Sequence, residues 1–496
     1  MHVLIMLFLF AFAAALQTNA GGLYTNTNQS ALYTRSMVRD ASTDIDAVFY
    51  NPAGLTQLGD GLYFSLNNQT ILQDKTVESD YNMLNISSYD GKVNAPLFPG
   101  IYGAFVKGKL AVSFGFNPLG GGGGAEFGKG LPSFEYGLTT ISPVLQSSLS
   151  PIDQAIEANT GNNPGFSNVS GYNADVYFEG TSVFYGIQAG ASYEISDVIS
   201  VFAGGRYIMA KNTYDGYLKN ITVNTPAAYG GAQSPGNYLR TVANNVDQAT
   251  AAQLNATADA LDAQTADKEV DAVQEGRGIT PIIGVNVSPT DNLNIGIKYE
   301  FITKIELEND TEQDLVTGTD EDGNPVSMFP DGEKSQSDIP AMLSIGSGYK
   351  VNDKLTIDAG FHYFFDKSAD YGKEIDGEKV DNEEVIDNNY WEFGIAPSYQ
   401  INEKLLVSLG YLRAQSGVNY DTYNNDISYS NPSNSIGIGG KFNINPDIAL
   451  NFGVSYTMYE AKSKTFDPIG TGASVEETYD KDALIFGLGV DIALMQ

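Results

Sequence analysis

Beyond residue 20 the chain never runs together the 18 or so apolar residues that mark a membrane-spanning helix, yet stretches of about ten residues repeatedly alternate apolar with small or polar side chains. Near the carboxyl end, Leu484, Phe486, Leu488, Val490, Ile492 and Leu494 share one face of an extended chain, and Ala483, Ile485, Gly487, Gly489, Asp491 and Ala493 share the other. Ile295, Ile297, Tyr299 and Phe301 repeat the pattern, as do Leu343 and Ile345. One such segment could pack on a soluble core. A whole series points to a transmembrane antiparallel β-barrel, the strand architecture that leaves no backbone group unpaired in lipid.

The connections agree. Short polar joints stand at Ser196-Asp197, Ser288 to Asn292, Asn352 to Lys354, Asn402 to Lys404 and Asn445 to Asp447, each flanked by alternating segments. Long polar stretches lie between them and are expected as extracellular loops over about 140–170, 212–278, 306–338 and 368–389. The net charge is -33, and Glu306 to Asp338 together with Asp370 to Asp387 carry 16 of those negative charges. They read as a solvated outer surface; a divalent cation held at the acidic loops is the lesser reading, with Asp320-Glu321-Asp322-Gly323-Asn324 lacking the spacing of a helix-loop-helix calcium site. The same charge repels phosphate backbones, so nucleic acid is not an expected partner. Leu254, Ala258, Leu261 and Thr265 fall at helical spacing within Val242 to Gln274, and Val144 to Ala158 is a second helical candidate.

Val3 to Leu16 is an unbroken apolar run, followed by small residues suited to cleavage after Ala20. It is too short for a comfortable spanning helix, so residues 1–20 are expected to be a signal peptide. Residues 21–58 follow without strand alternation and include Arg35, Arg39 and the tight-turn sequence Asn51-Pro52-Ala53-Gly54. The barrel is expected over 59–496.

The segment Asp44 to Leu55, the run Phe114 to Leu119 with Gly120 to Gly124, the segment Gly284 to Tyr299 and the Ile339-Pro340-Ala341 strand entry resemble the long-chain fatty acid and aromatic hydrocarbon transporter family of the bacterial outer membrane. The resemblance covers nearly the whole mature chain in outline. It implies fourteen strands, an amino-terminal hatch over 21–58 anchored by the Asn51 turn, and a kinked strand that opens the wall sideways. It also implies passive, monomeric transport of hydrophobic molecules in the outer membrane of a Gram-negative bacterium, amid outer-membrane lipid and lipopolysaccharide. Fatty acids are the first expectation and aromatic hydrocarbons the second. A structural or adhesive surface protein working through its acidic loops is the remaining alternative. The chain departs from common outer-membrane barrels in ending Leu494-Met495-Gln496 without a terminal aromatic residue.

A fatty acid needs an apolar path and a cation or donor for its carboxylate. Arg206, between Gly205 and Tyr207, fits as an interior charge, although a salt bridge to a lumenal carboxylate explains it equally well. Phe114 and Phe116 are read as substrate-path residues, and Gly120, Gly121 and Gly122 as a strand kink. Phe361, Tyr363, Phe364 and Phe365 are read as rim anchors. Enzyme chemistry fits poorly. Cysteine is absent, His362 is the sole histidine after His2, and no Gly-x-Ser-x-Gly elbow accompanies it. His362 is therefore read as a structural or rim residue, and no cofactor is expected. The glycine run lacks the Lys-Ser/Thr ending of a nucleotide phosphate loop.

Overall fold

The computed structural model describes residue 23 and residues 25–314, 316–319, 325–375, 378–470 and 472–494; the expected signal peptide and the Asp320 to Asn324 cluster lie outside them. Fourteen antiparallel strands close into one barrel. They are β1 Gly61–Ser79, β2 Ser88–Lys107, β3 Leu110–Phe127, β4 Ser170–Ser196, β5 Ile199–Asn224, β6 Lys268–Thr290 and β7 Leu293–Glu300. The second half comprises β8 Met342–Lys350, β9 Leu355–Phe364, β10 Trp391–Gln400, β11 Leu405–Gln415, β12 Ser433–Asn445, β13 Ile448–Tyr459 and β14 Val475–Leu494. Neighbours in the chain are neighbours in the wall, and β14 returns to β1 with Leu62 opposite Leu494.

The alternation sorts the two faces as expected. Phe486 and Leu488 point out, 44% and 62% exposed, while Ala483 and Ile485 on the other face are buried. The short polar joints are tight turns at the rim where β1 begins and β14 ends. Long connections occupy the opposite rim, as a membrane barrel requires.

Two loop boundaries differ from expectation. β5 continues to Asn224 and β6 already starts at Lys268, so the connection is 225–267 rather than 212–278. Likewise Glu306–Gln313, within the expected 306–338 loop, is a strand paired with Asp271 to Gly276 of β6. β4 and β5 have 27 and 26 residues, more than twice the ten or so that a tilted strand needs to cross the bilayer. Beyond the membrane a ladder can continue with polar residues on both faces, which erases the apolar alternation. The segments at helical spacing are helices: α1 (Ile141–Thr160), α2 (Pro235–Ala243) and α3 (Gln248–Gln264) decorate the outer loops. Leu254, Ala258 and Leu261 are the buried stripe of α3 and pack with Tyr238 and Leu239 of α2. Asp247 caps α3, accepting from the Ala249 and Thr250 amides.

Residues 25–58 lie inside the barrel. A short helix, Ala31–Ser36, touches β1 and β10 to β14, and the 3-10 turn Pro52–Leu58 touches β2 to β6. The segment thus crosses the lumen from wall to wall. Room for it comes from glycines aligned across adjacent strands. Gly296, Gly346, Gly360 and Gly394 are register partners on β7, β8, β9 and β10. Gly410 pairs with Gly437, and Gly453 with Gly487, farther round the wall. A Cβ on Gly360 would sit 2.1 Å from Asp40 Oδ2, and one on Gly410 2.1 Å from the Ser36 carbonyl oxygen. Each glycine forgoes side-chain packing within the sheet, a loss of roughly 0.5–1 kcal/mol relative to Ala, which contact with the interior segment offsets.

Candidate functional site

Strand periodicity sets three ionisable side chains on one patch of the inner wall. Lys298 and Glu300, two residues apart on β7, point the same way, and Arg206 reaches them from β5. Glu300 forms an ion pair with Arg206 and accepts from Lys298 at 2.7 Å. Gln188 Oε1 accepts from Arg206 Nη2 at 2.7 Å. All three charged groups are buried, 3% exposed for each cation and 7% for Glu300. Buried charges survive at such a site because each is paired and hydrogen-bonded.

The interior segment closes this patch with Phe49. Lys298 donates to the Phe49 carbonyl at 2.7 Å. Its ammonium lies 4.7 Å from the Phe49 ring centroid, and the Arg206 guanidinium lies 4.9 Å from it. Leu119, Ile339, Met342, Phe364 and Tyr50 add apolar surface around a narrow pocket, with room for about one or two waters in this state. A ligand with a long chain would need Phe49 or its segment to move. Beside the pocket the ladder between β7 and β8 is interrupted, and a lone bridge joins Thr303 to Ile339.

Two other sequence-selected groups fall within the segment. Arg35 is buried and donates to Ser408 of β11; burial lowers its pKa to about 10. Burial also opposes the charge of Arg39, but Asp46 and Asp44 override that cost and raise its pKa. Both ion pairs measure 2.7 Å, and Arg39 also donates to Ser42. Arg39 therefore staples the segment to itself. The Asn51 turn reaches the wall: Asn51 Nδ2 donates to Asn286 Oδ1 at 2.7 Å and to the Ser42 carbonyl at 3.0 Å. Ser192 donates to the Pro52 carbonyl at 2.6 Å, and Ala53 packs with Phe202 and Ile282. At Gly54 a Cβ would lie 2.6 Å from the Ser42 carbonyl oxygen, so the turn closes only without a side chain there.

Phe114 and Phe116 do not line the lumen. Ser113, Gly115 and Asn117 take the inward positions of β3, and strand alternation leaves both phenylalanines outside. Phe114 is 48% exposed, and Phe116 stacks on Tyr185 with ring centroids 5.9 Å apart. The apolar residues that line the pocket instead include Phe49 and Leu119. Phe364 is buried against Tyr390 rather than anchoring a rim, and His362 is buried too, the structural one of its two readings. The glycine run is irregular, as a kink requires. Register shifts flank Gly120 and Gly121, and Gly121 has φ +72°. From Asn94 to Gly100, β2 makes no ladder with β3, and the stretch running through Gly120, Gly121 and Gly122 is the unpaired counterpart. Phe49, Glu300 and His362 were not singled out as site residues from the sequence, because only docking of the interior segment makes them neighbours of the pocket.

Residues 181–493 match the model of a family described as outer membrane protein transport protein (OMPP1/FadL/TodX). The chain is similar in structure to a Pseudomonas aeruginosa FadL homologue, at 13% identity, TM-score 0.59, and coverage of 95% of this chain and 99% of that one. It is also similar to the P. putida toluene transporter TodX, at 13% identity, TM-score 0.51, and coverage of 91% and 94%. The Ralstonia pickettii toluene transporter TbuX gives 15% identity, TM-score 0.50, and coverage of 91% and 94%. No curated protein sequence matches the chain.

Proposed function

This chain belongs to the outer membrane protein transport protein family (OMPP1/FadL/TodX), β-barrels of the Gram-negative outer membrane that carry hydrophobic molecules, and on that premise we propose that its substrate is a long-chain fatty acid, moved passively by a monomer. One observation carries the choice. The pocket against the interior segment combines apolar walls with two cations, Arg206 and Lys298, that share the single carboxylate of Glu300. A toluene-like hydrocarbon has no use for those two charged donors, whereas a fatty carboxylate can exchange with Glu300 for them.

In this reading the interior segment is a hatch. Displacing Phe49 opens the pocket, and the unpaired stretch between β2 and β3 is the side exit into the membrane. Uptake of radiolabelled oleate and of toluene by cells that lack their own channels, with and without this protein, tests the assignment. Oleate uptake above the control supports it. Toluene uptake alone moves the assignment to aromatic hydrocarbons, and uptake of neither returns attention to the acidic outer loops.

A further inference from the structure

Closure of the barrel sets the first and last strands side by side, and at one level it places two lysines opposite each other. Lys75 on β1 is the register partner of Lys481 on β14, an arrangement with Cα atoms about 5 Å apart. Both point inward and are buried, 2% and 4% exposed. Like charges facing each other across a ladder are destabilising, and burial adds to the cost. Neither ammonium forms an ion pair among the described residues. Lys75 faces rings, 4.8 Å from the centroid of Tyr429 and 5.9 Å from that of Phe127, and the Asp426 carboxylate acts on it only from beyond ion-pair distance. Lys481 lies 4.6 Å from the ring centroid of Tyr459 and has one long hydrogen bond, 3.4 Å, to the Tyr429 carbonyl.

Nearby carboxylates are engaged elsewhere. Asp426 accepts from the Ser133 amide at 2.9 Å, and Glu477 accepts from the Tyr136 and Tyr479 hydroxyls. The two lysines are therefore held by tyrosine faces, with no carboxylate in contact with either amine among the described residues. Toward the interior segment, the same wall continues as an apolar patch of Ile71, Ile485, Ala95 and Phe98. Ala95 and Phe98 belong to the stretch of β2 that is unpaired from β3.

We propose that Lys75 and Lys481 form a second anion site, distinct from the Arg206 and Lys298 pocket, which takes the carboxylate of an amphipathic substrate while its acyl chain lies along Ile71, Ile485, Ala95 and Phe98. The proposal rests on the transport reading above. It gives the channel an outer station that selects acids over neutral hydrocarbons and points the tail at the break in the wall.

The test is binding of oleate and of oleyl alcohol, its neutral counterpart, to the detergent-purified full chain, comparing wild type with Lys75→Met/Lys481→Met. Methionine keeps the length and removes two repelling charges, so the barrel is expected to fold. The expected result is that wild type binds two oleates and the double variant one, the remaining one at the Arg206 and Lys298 pocket, with oleyl alcohol binding unchanged. A parallel measurement needs no variant: in a structure of wild type with oleate, a carboxylate should stand within hydrogen-bond reach of the two lysine Nζ atoms. An unchanged number of bound oleates, or no carboxylate at the two lysines, overturns the site and leaves the transport reading standing. An anionic lipid phosphate at the two lysines in place of oleate overturns the carboxylate assignment. Failure of wild type to bind either ligand overturns both proposals.

Discussion

His362 Nε2 lies 2.5 Å from Asp40 Oδ1, joining the barrel wall to the segment inside it. The other ring nitrogen is 2.8 Å from Glu392 Oε2 on β10, and Thr27 of the interior segment donates to the same oxygen at 3.2 Å. An imidazole between two carboxylates can donate from both nitrogens only as a cation, and in that form it balances one of the two negative charges.

Removing the imidazole therefore leaves Asp40 and Glu392 buried without their partner. His362→Ala is expected to cost about 3–5 kcal/mol, the usual penalty for stripping one member from a buried charge cluster. The loss should concentrate in the interior segment. Hydrogen exchange of residues 31–50 should quicken strongly while β11 to β13 stay protected. Adding Asp40→Asn should restore part of the protection, and unchanged exchange in His362→Ala would show that the segment is held by other contacts.

The glycine alignment makes a separate demand. A Cβ at Gly410 would meet the Ser36 carbonyl oxygen at 2.1 Å and its carbon at 2.3 Å, both backbone atoms with little freedom to retreat. Gly410→Ala should therefore destabilise docking by about 1–3 kcal/mol, in the range of overpacked cores. Gly128→Ala, where nothing lies within 4 Å, is the neutral control. Heat resistance of the folded barrel reads the difference. In a chain deleted for residues 21–58, the Gly410→Ala penalty should vanish, and its persistence would place the strain within the wall.

These relationships mark how far the sequence could be read. The β14 alternation from Ala483 to Leu494 was legible because one bilayer-facing side imposes a period of two. The helical stripe Leu254, Ala258 and Leu261 was legible for a similar reason, since its burial is local to one pair of helices. The glycine alignment was not, because Gly360 and Gly394 are explained by Asp40 and Val38, more than 300 residues away. Lys75 and Lys481 become partners only when the barrel closes. Phe114 and Phe116 show a different limit: their chemistry suited a substrate path, but the phase of β3 decided their face.

Asp44 supplies a pH dependence with a definite sign. Lys441, with Arg39 and Arg35 behind it, holds the Asp44 carboxyl well below the usual carboxylate range, despite its partial desolvation. Because the folded value is depressed, the contribution is fully present above the unfolded value, about 3.9, and is lost as pH falls through the folded value. The Asp44 side chain is 41% exposed and its Lys441 contact is 3.4 Å long, so solvent screening keeps that pair near the 0–1 kcal/mol of surface ion pairs. Protease sensitivity of the interior segment should thus differ modestly between wild type and Asp44→Asn by a constant amount over about pH 5–8. The difference should shrink below about pH 4. A difference that grows on acidification would contradict the assignment.

The last prediction concerns the break in the wall. Gly121 sits at φ +72° between two register shifts against β4, and a Cβ there would be 1.7 Å from the Ser182 carbonyl oxygen. Alanine in the left-handed region costs roughly 1–2 kcal/mol on conformation alone, and the clash with backbone cannot be relieved by a rotamer change. Gly121→Ala is thus expected to force a new register around the bulge and alter the stretch of β3 that faces the unpaired part of β2. If substrate leaves sideways there, oleate uptake should fall several-fold while oleate binding to the purified protein stays near wild type. That split separates an exit defect from a binding defect. Equal loss of binding and uptake would place the effect in the pocket through Leu119, two residues away and in contact with Asn26 of the interior segment, and wild-type uptake would remove the bulge from the route.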